Sequence, residues 1–153
     1  MPFRKSPRLP SFQYSGPYAY SVTIVTARRR PVFRDSALVG ACVHHLGISA
    51  GKYGFTTRAY CFMPDHVHLL LTGDEWSSLP GFTRHFKQLT GYAYSLGTGR
   101  KLWQTSYWDH VLRAEEDVED VARYVWGNPV RAGIVADYRA YAGSGPRPLP
   151  ELI

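Results

Sequence analysis

The strongest constraint on the fold is a short apolar stretch that contains two histidines, AYCFMPDHVHLLLTG at residues 59–73. Pro64 and Asp65 are typical turn residues, and the residues on both sides of them are typical of β-strands. The stretch therefore predicts a hairpin. Because residues 69–71 are all leucine, its second strand has the nearly continuous apolar character of a buried central strand.

The two histidines share one face of this predicted strand. Side chains alternate between the two faces of a β-strand, so His66 and His68 project side by side while Val67 points the other way. Two neighbouring imidazoles are either structural residues of the strand or half of a metal site. The pattern alone leaves both interpretations open.

The order of the predicted elements indicates the fold class. Segments in which apolar and polar residues alternate, or which are rich in β-branched or apolar residues, predict strands. Apolar residues that recur every three to four positions predict helices. These segments are strands at 18–27, 55–63, 66–73 and near 107–113, and helices beginning near Ser36, at 81–97 and at 115–126. The order β-α-β-β-α-β-α predicts an α+β fold, a ferredoxin-like antiparallel sheet with the helices packed on one face.

The chain length of 153 residues predicts a single domain over 1–153. Residues 1–15 form a basic, proline-rich arm, and we expect the Gly/Pro-rich tail at 140–153 to be loose. No signal peptide or membrane-length apolar run is present and only two cysteines occur, so we expect a cytoplasmic protein.

The charge of the chain favours a polyanionic partner such as nucleic acid. Lys and Arg number 18 against 12 acidic residues, a formal net charge of +6. The arm contributes Arg4, Lys5 and Arg8, which we expect to contact DNA. Arg84 and Lys87 on the second long predicted helix are further candidates for phosphate contacts, or are simply solvated.

A tyrosine and an asparagine near the end of the last predicted helix are candidates for chemistry. In the segment RYVWGNPVRAG, Tyr124 and Asn128 are four residues apart and share a helix face if the helix continues that far. Pro129 disfavours the helical conformation at Asn128. Asn128 is therefore either a member of that face or the cap of a short helix that ends at Gly133.

Three blocks of the sequence together resemble a known family. FMPDHVHLLLTG, LWQTSYWDHVLR and RYVWGNPVRAGIV, in this order and spacing, are similar to the single-tyrosine HUH transposases, and most similar to the REP-associated tyrosine transposases of bacteria. The resemblance covers residues 14–138. It implies that His66, His68 and Asn128 hold a divalent metal, and that Tyr124 attacks single-stranded DNA. Trp103 and Arg113 lie in the middle block and are DNA-binding candidates, although burial of Trp103 in the core is the alternative.

The resemblance also implies an activity, a cofactor and a partner. We expect a metal-dependent transposase, with Mg²⁺ or Mn²⁺, that cleaves and rejoins single-stranded or hairpin DNA through a 5′-phosphotyrosine, without a membrane partner and as a monomer. Asp65 is expected only to shape the turn. Two other functions remain open: a non-catalytic nucleic-acid-binding module, and a metal-dependent phosphodiesterase that uses activated water.

Overall fold

The computed structural model describes residues 14–113 and 116–151. Arg4, Lys5 and Arg8 of the predicted arm lie outside these ranges. The strands and helices are β1 (Ala19–Val25), α1 (Ser36–Lys52), β2 (Phe55–Met63), β3 (His66–Gly73), α2 (Leu79–Thr98), β4 (Trp108–Val111), α3 (Val118–Trp126), α4 (Asn128–Arg131) and β5 (Ser144–Gly145). Among the described residues, no helix combines the length and the apolar character that crossing a membrane requires.

The strands form one antiparallel sheet in the order β4-β1-β3-β2-β5. Its first four strands alternate with α1 and α2 as β-α-β-β-α-β, so the predicted α+β, ferredoxin-like class is confirmed. As predicted, β3 is the central strand. It pairs with β1 on one side and, through the predicted hairpin, with β2 on the other.

Local sequence signals explain where the helices begin and end. Asp35 accepts hydrogen bonds from the backbone N–H groups of the first turn of α1, so Asp35 is its cap and Ser36 is its first residue. Ser78 caps α2 in the same way, and Gly99 ends that helix at a φ of 69°, where an L-residue with a side chain would be strained. Asp117 caps α3.

The two faces of the sheet carry different helices. The long helices α1 and α2 pack on the face formed by Val67, Leu69 and Leu71 of β3. On the opposite face, α3 packs against Leu70 and the neighbouring residues of β2. The expectation that all helices lie on one face therefore holds for α1 and α2 only. The apolar side of α3 needs a second surface to bury, and the even-numbered positions of β3 provide it.

The expectation of a loose tail is not met over residues 141–149. Ser144 and Gly145 pair with β2 as the edge strand β5. The Trp126 indole N–H donates to the Gly145 carbonyl at 2.8 Å, and the Tyr141 hydroxyl donates to the Phe62 carbonyl at 2.6 Å. Gly145 lies so close to β2 that a residue with a side chain would not fit there, because its Cβ would lie 2.3 Å from the Tyr60 ring.

Leu149 provides a test of this packing, because only 9% of it is exposed and it belongs to the core beneath α3. We expect Leu149→Ala to lower the free energy of unfolding by about 2 kcal/mol, since it removes buried methyl groups and leaves a cavity. Urea unfolding measures the loss. The control is Leu96→Ala at the 71% exposed end of α2, which should change little. Equal midpoints for the two variants would contradict the packed tail.

Candidate active site

The centre of the site is the histidine pair on β3. His66 and His68 lie on the face covered by α3, as the alternation of the strand predicted. Their cross-strand neighbours on β2 are Met63 and Cys61, both buried. The imidazoles therefore stand in a largely apolar surrounding that limits their access to water.

The two imidazoles converge on one point. Their Nε2 atoms are 3.1 Å apart, and the ring planes are nearly perpendicular, at 86°. Two nitrogens that each lie ~2.1 Å from a metal ion, at a right angle to each other, are about 3.0 Å apart. The spacing fits two ligands of a single divalent ion.

The outward-facing nitrogen of each ring has a hydrogen-bond partner. His66 Nδ1 lies 2.7 Å from Asp65 Oδ1, and His68 Nδ1 lies 3.0 Å from Thr23 Oγ1. With the proton on each Nδ1, the N–H groups donate to these oxygens and the lone pair at each Nε2 is left for a metal. This is the usual arrangement around metal-binding histidines.

Asp65 has more than the turn-shaping role expected from the sequence. Besides His66, it accepts a hydrogen bond from Arg29 Nε at 3.3 Å. Partial burial acts to raise the pKa of Asp65, but the hydrogen bond and charge of His66, together with Arg29, hold it below its ordinary value. Asp65 is therefore the carboxylate that orients His66. Sequence reasoning missed it because adjacent strand residues usually face apart, whereas Asp65 belongs to the turn.

The environment keeps both imidazoles neutral. Burial lowers the pKa of His66. Burial, then the neighbouring His66, then the charge of Arg131 lower the pKa of His68 to about 3. Since a histidine ligates a metal only through a neutral ring nitrogen, the pair is in its ligating state at neutral pH.

Tyr124 lies on α3, the helix that packs on the same face of the sheet as His66 and His68. Ala122, Val125 and Trp126 point into the core between α3 and the sheet, and Tyr124 lies on the outer side with 40% of its surface exposed. The predicted helix does not run unbroken to Asn128, because α3 ends at Trp126 and α4 begins after Gly127. Gly127 keeps a helical conformation, so the junction is a single residue long.

Asn128 is buried at this junction, with 9% exposed. Its side chain does not cap α4, which excludes one of the two sequence-based interpretations. Instead its Nδ2 donates to the Val125 carbonyl at 3.2 Å, and its Oδ1 accepts from Arg131 Nη2 at 2.9 Å. An amide oxygen with a second lone pair is a possible oxygen ligand, and Oδ1 fits that description.

Arg131 is the functional candidate that sequence reasoning missed. Its guanidinium carbon lies 3.8 Å from the centre of the Tyr124 ring, and its Nη2 donates to the Tyr124 carbonyl at 2.5 Å. The same nitrogen contacts Asn128, and the charge of Arg131 reaches His68. Arg131 therefore links the tyrosine, the amide and the histidine strand. The sequence could have indicated these contacts through spacing, because Arg131 follows Tyr124 by seven residues and Asn128 by three, which places all three on one side of a helix.

A conventional all-protein metal cage is not found. In residues 14–113 and 116–151, no group of three or more His, Cys, Asp or Glu side chains is arranged to hold an ion. Two imidazoles plus the Asn128 oxygen would leave coordination positions for a substrate. Such an open set fits a catalytic metal better than a structural one.

The predicted DNA contacts are placed differently by the structure. Trp103 is only 3% exposed and its indole N–H donates to Thr90 in the core, so the structure supports the alternative of core burial over DNA binding. Lys87 donates to the carbonyls of Gln104 and Thr105 at 2.8 and 2.9 Å, which gives it a role in holding that loop. Arg84 and Arg113 are exposed, and their DNA contacts stay predictions.

Comparison with known proteins identifies the family. A family model described as "Transposase IS200 like" matches residues 16–128, most of the chain. The chain belongs to the IS200-like transposase family. This region contains the histidine pair, Tyr124 and Asn128, so the resemblance expected from the three sequence blocks is confirmed.

Two curated relatives carry the same kind of name. A candidate REP-associated tyrosine transposase of Haemophilus influenzae is 30% identical over 95 residues, covering 54% of this chain and 54% of the relative. A REP-associated tyrosine transposase of Escherichia coli K12 is 29% identical over 85 residues, covering 53% of this chain and 48% of the relative. The matches span about half the length of each relative.

Two solved structures share the fold. One is a REP-associated tyrosine transposase bound to a REP hairpin, with a TM-score of 0.74 and 21% identity, covering 93% of this chain and 82% of that one. The other is a candidate transposase from Deinococcus radiodurans R1, with a TM-score of 0.54 and 23% identity, covering 79% and 97% of the two chains. At these identities the likeness concerns the fold.

The role of Asp65 gives a direct prediction for metal binding. We expect the protein to bind Mn²⁺, and Asp65→Asn to weaken that binding roughly 10- to 100-fold, because the amide holds His66 less strongly. Titration calorimetry with Mn²⁺ in the absence of DNA measures the change. Asp74→Asn, at the far end of β3, is the control. Unchanged affinity in Asp65→Asn would rule out the orienting role.

Proposed function

We propose that this protein is a metal-dependent transposase that cleaves and rejoins single-stranded DNA through Tyr124. One observation carries the proposal: the Nε2 atoms of His66 and His68 converge at 3.1 Å on the sheet face covered by the helix that bears Tyr124. Membership of the IS200-like transposase family supports the same assignment.

The proposed metal is Mg²⁺ or Mn²⁺, held by His66, His68 and Asn128. Nitrogen ligands suit Mn²⁺ better, whereas Mg²⁺ prefers oxygen. When bound, the ion would neutralise charge on the scissile phosphate and polarise it for attack. The remaining steps depend on the side chains of the protein.

Tyr124 is the proposed nucleophile. Its phenol loses a proton as its oxygen forms a bond to phosphorus, and the bond between phosphorus and the 3′-oxygen breaks. That oxygen takes up a proton and leaves as a 3′-hydroxyl, and the 5′ phosphate stays on the enzyme. The covalent link conserves the phosphodiester, so a different 3′-hydroxyl can reverse the reaction and rejoin the strand without an external energy source.

Arg131 is the proposed positioning residue for this step. Its guanidinium stacks on the Tyr124 ring, at 3.8 Å, and restricts the directions in which the phenol can point. The same group binds the Asn128 oxygen, so the orientations of the tyrosine and the amide are coupled. A fixed positive charge beside the nucleophile also favours the approach of an anionic phosphate.

Hairpin DNA with a single-stranded flank is the proposed partner. The chain carries a net charge of +6, which favours binding of a polyanion, with an affinity that falls as salt rises. The solved structure with the same fold holds a REP hairpin. A cytoplasmic location, where DNA is accessible, belongs to the same proposal.

The central test is Tyr124→Phe, which removes one oxygen and keeps the ring. We expect folding and DNA binding to persist and cleavage to fall to background, because the neighbouring residues Val121, Ala122 and Val125 have no nucleophile to replace it. Wild-type protein should form an adduct that withstands boiling in detergent with a 3′-labelled strand and not with a 5′-labelled one. Tyr92→Phe, at an exposed tyrosine of α2, is the matched control.

The outcome separates the proposed function from its two rivals. Cleavage by Tyr124→Phe near the wild-type rate would favour a phosphodiesterase that uses activated water. Binding without cleavage by either protein would favour a non-catalytic nucleic-acid-binding module.

We further propose that one chain contains a complete site and acts as a monomer. Helix α3 buries its apolar side on the sheet of its own chain, and the following segment returns to pair with β2 of the same sheet. We therefore expect a mixture of His68→Ala and Tyr124→Phe proteins to remain inactive. Restored cleavage in the mixture would show a site shared between two chains. A dimer mass by light scattering at micromolar concentration would contradict the monomer.

A further inference from the structure

A basic cleft lies between the loop that follows β1 and the segment that precedes β4. Its volume is 610 Å³. The lining residues are Ala27, Arg28, Arg30, Arg100, Lys101, Trp103, Gln104 and Thr105. Four of these eight carry a positive charge and none is acidic. We call this feature the arginine cleft.

Within residues 14–113 and 116–151, no acidic side chain neutralises the four charges of the arginine cleft. In the described part of the chain, none of Arg28, Arg30, Arg100 and Lys101 forms an ion pair. The neighbouring Arg29 instead turns away to Asp65. Like charges gathered in one concave surface repel each other and attract an anion.

The walls of the cleft are fixed by backbone hydrogen bonds. Ala27 N–H donates to the Leu102 carbonyl at 2.8 Å, and Gln104 N–H donates to the Val25 carbonyl at 2.9 Å. Lys87 holds the carbonyls of residues 104 and 105 from the other side. A binding surface held in this way loses little conformational entropy when a ligand binds.

Backbone strain marks the same loop. Arg28 and Arg29 have φ values of 55° and 51°, in the left-handed region that residues with a side chain rarely adopt. Such conformations persist only where the surrounding structure enforces them, and they concentrate at functional sites. Here they turn Arg29 towards Asp65 and leave Arg28 and Arg30 lining the cleft.

The cleft is elongated, which favours a polymer over a single small anion. A second cavity of 430 Å³ continues from it along α2 and is lined by Lys87, Gln88 and Gly91. Five residues line both cavities: Arg100, Lys101, Trp103, Gln104 and Thr105. Together the two cavities form a longer groove with Arg100 and Lys101 on the wall that they share, and a chain of phosphates can follow such a groove.

The arginine cleft is joined to the proposed metal site. The buried Thr26 hydroxyl lies 2.9 Å from the Arg30 carbonyl and 3.0 Å from the Asp65 carbonyl. Arg29 contacts Asp65, and Asp65 contacts His66. The loop that shapes the cleft and the turn that orients His66 therefore form one unit.

We propose that the arginine cleft binds the phosphate backbone of the single-stranded DNA that flanks the cleavage point. This inference rests on the proposed function for the identity of the strand. Recognition is through charge and is independent of base sequence, because Trp103 is buried and half of the residues that line the cleft are cationic. Each cation that contacts a phosphate displaces a counterion.

The test compares charge-removing and charge-keeping variants in binding to an unstructured single-stranded oligonucleotide. Fluorescence anisotropy across a salt series measures affinity and its salt dependence. We expect Arg28→Gln and Arg100→Gln each to reduce the slope of log K against log salt by about 0.7, with about fivefold weaker binding at 0.1 M salt. The double variant should lose roughly 25-fold.

The controls separate charge from structure. Arg28→Lys and Arg100→Lys keep the charge and should restore most of the salt slope. Arg58→Gln removes an exposed charge at the far end of the sheet, where Arg58 contacts Thr72, and should leave the slope unchanged. Mn²⁺ affinity without DNA should be the same in all cleft variants.

The outcomes distinguish this inference from the proposed function. A reduced slope in the cleft variants supports the cleft even if wild-type protein forms no tyrosine adduct, in which case the proposed function alone fails. If wild-type protein forms the adduct but the cleft variants bind like Arg58→Gln, the cleft assignment is overturned. Wild-type protein that does not bind the single strand at all would overturn it as well.

Discussion

The structure depends on the alternation of side chains along β3. Val67, Leu69 and Leu71 point to one face and bury the long helices, while His66, His68 and Leu70 point to the other. Because β3 is hydrogen-bonded on both sides, the backbone beneath the imidazoles is held rigidly. A shift of one residue in register would exchange the two faces and remove both the core and the site.

The turn before β3 connects the histidine pair to the loop that shapes the arginine cleft. Asp65 holds His66 with one carboxylate oxygen and Arg29 with the other, and its carbonyl is bound by Thr26. The same few residues therefore orient an imidazole and shape the arginine cleft. On the other side, Arg131 connects α4 to the Tyr124 ring.

Much of the framework could be predicted from local patterns. Turn residues at 64–65, the leucines of β3 and the helical periods are short-range signals. They led to the correct order of the strands and helices from β1 to α3. The proximity of His66 and His68 follows from two-residue spacing alone. The family blocks added Tyr124 and Asn128, which lie on α3 and at its junction with α4, and α3 packs on the same face of the sheet.

The remaining features depend on contacts between distant residues. Burial of Trp103 against Phe33 and Phe86, and return of the tail to β2, depend on packing that no local pattern encodes. The stacking of Arg131 on Tyr124 spans two helices whose relative angle is set at Gly127.

The amino-acid sequence by itself determined the element order, the shared face of the histidines and the resemblance to a transposase family, because each depends on spacing along the chain. Tertiary structure decided that Asp65 and Thr23 hold the imidazoles, that Arg131 meets Tyr124, and that arginines from one loop face Arg100 and Lys101 from another. Such groups meet only after the sheet register and the helix packing are set. Register and packing depend on the summed free energy of contacts across the whole core, which no short segment of sequence encodes.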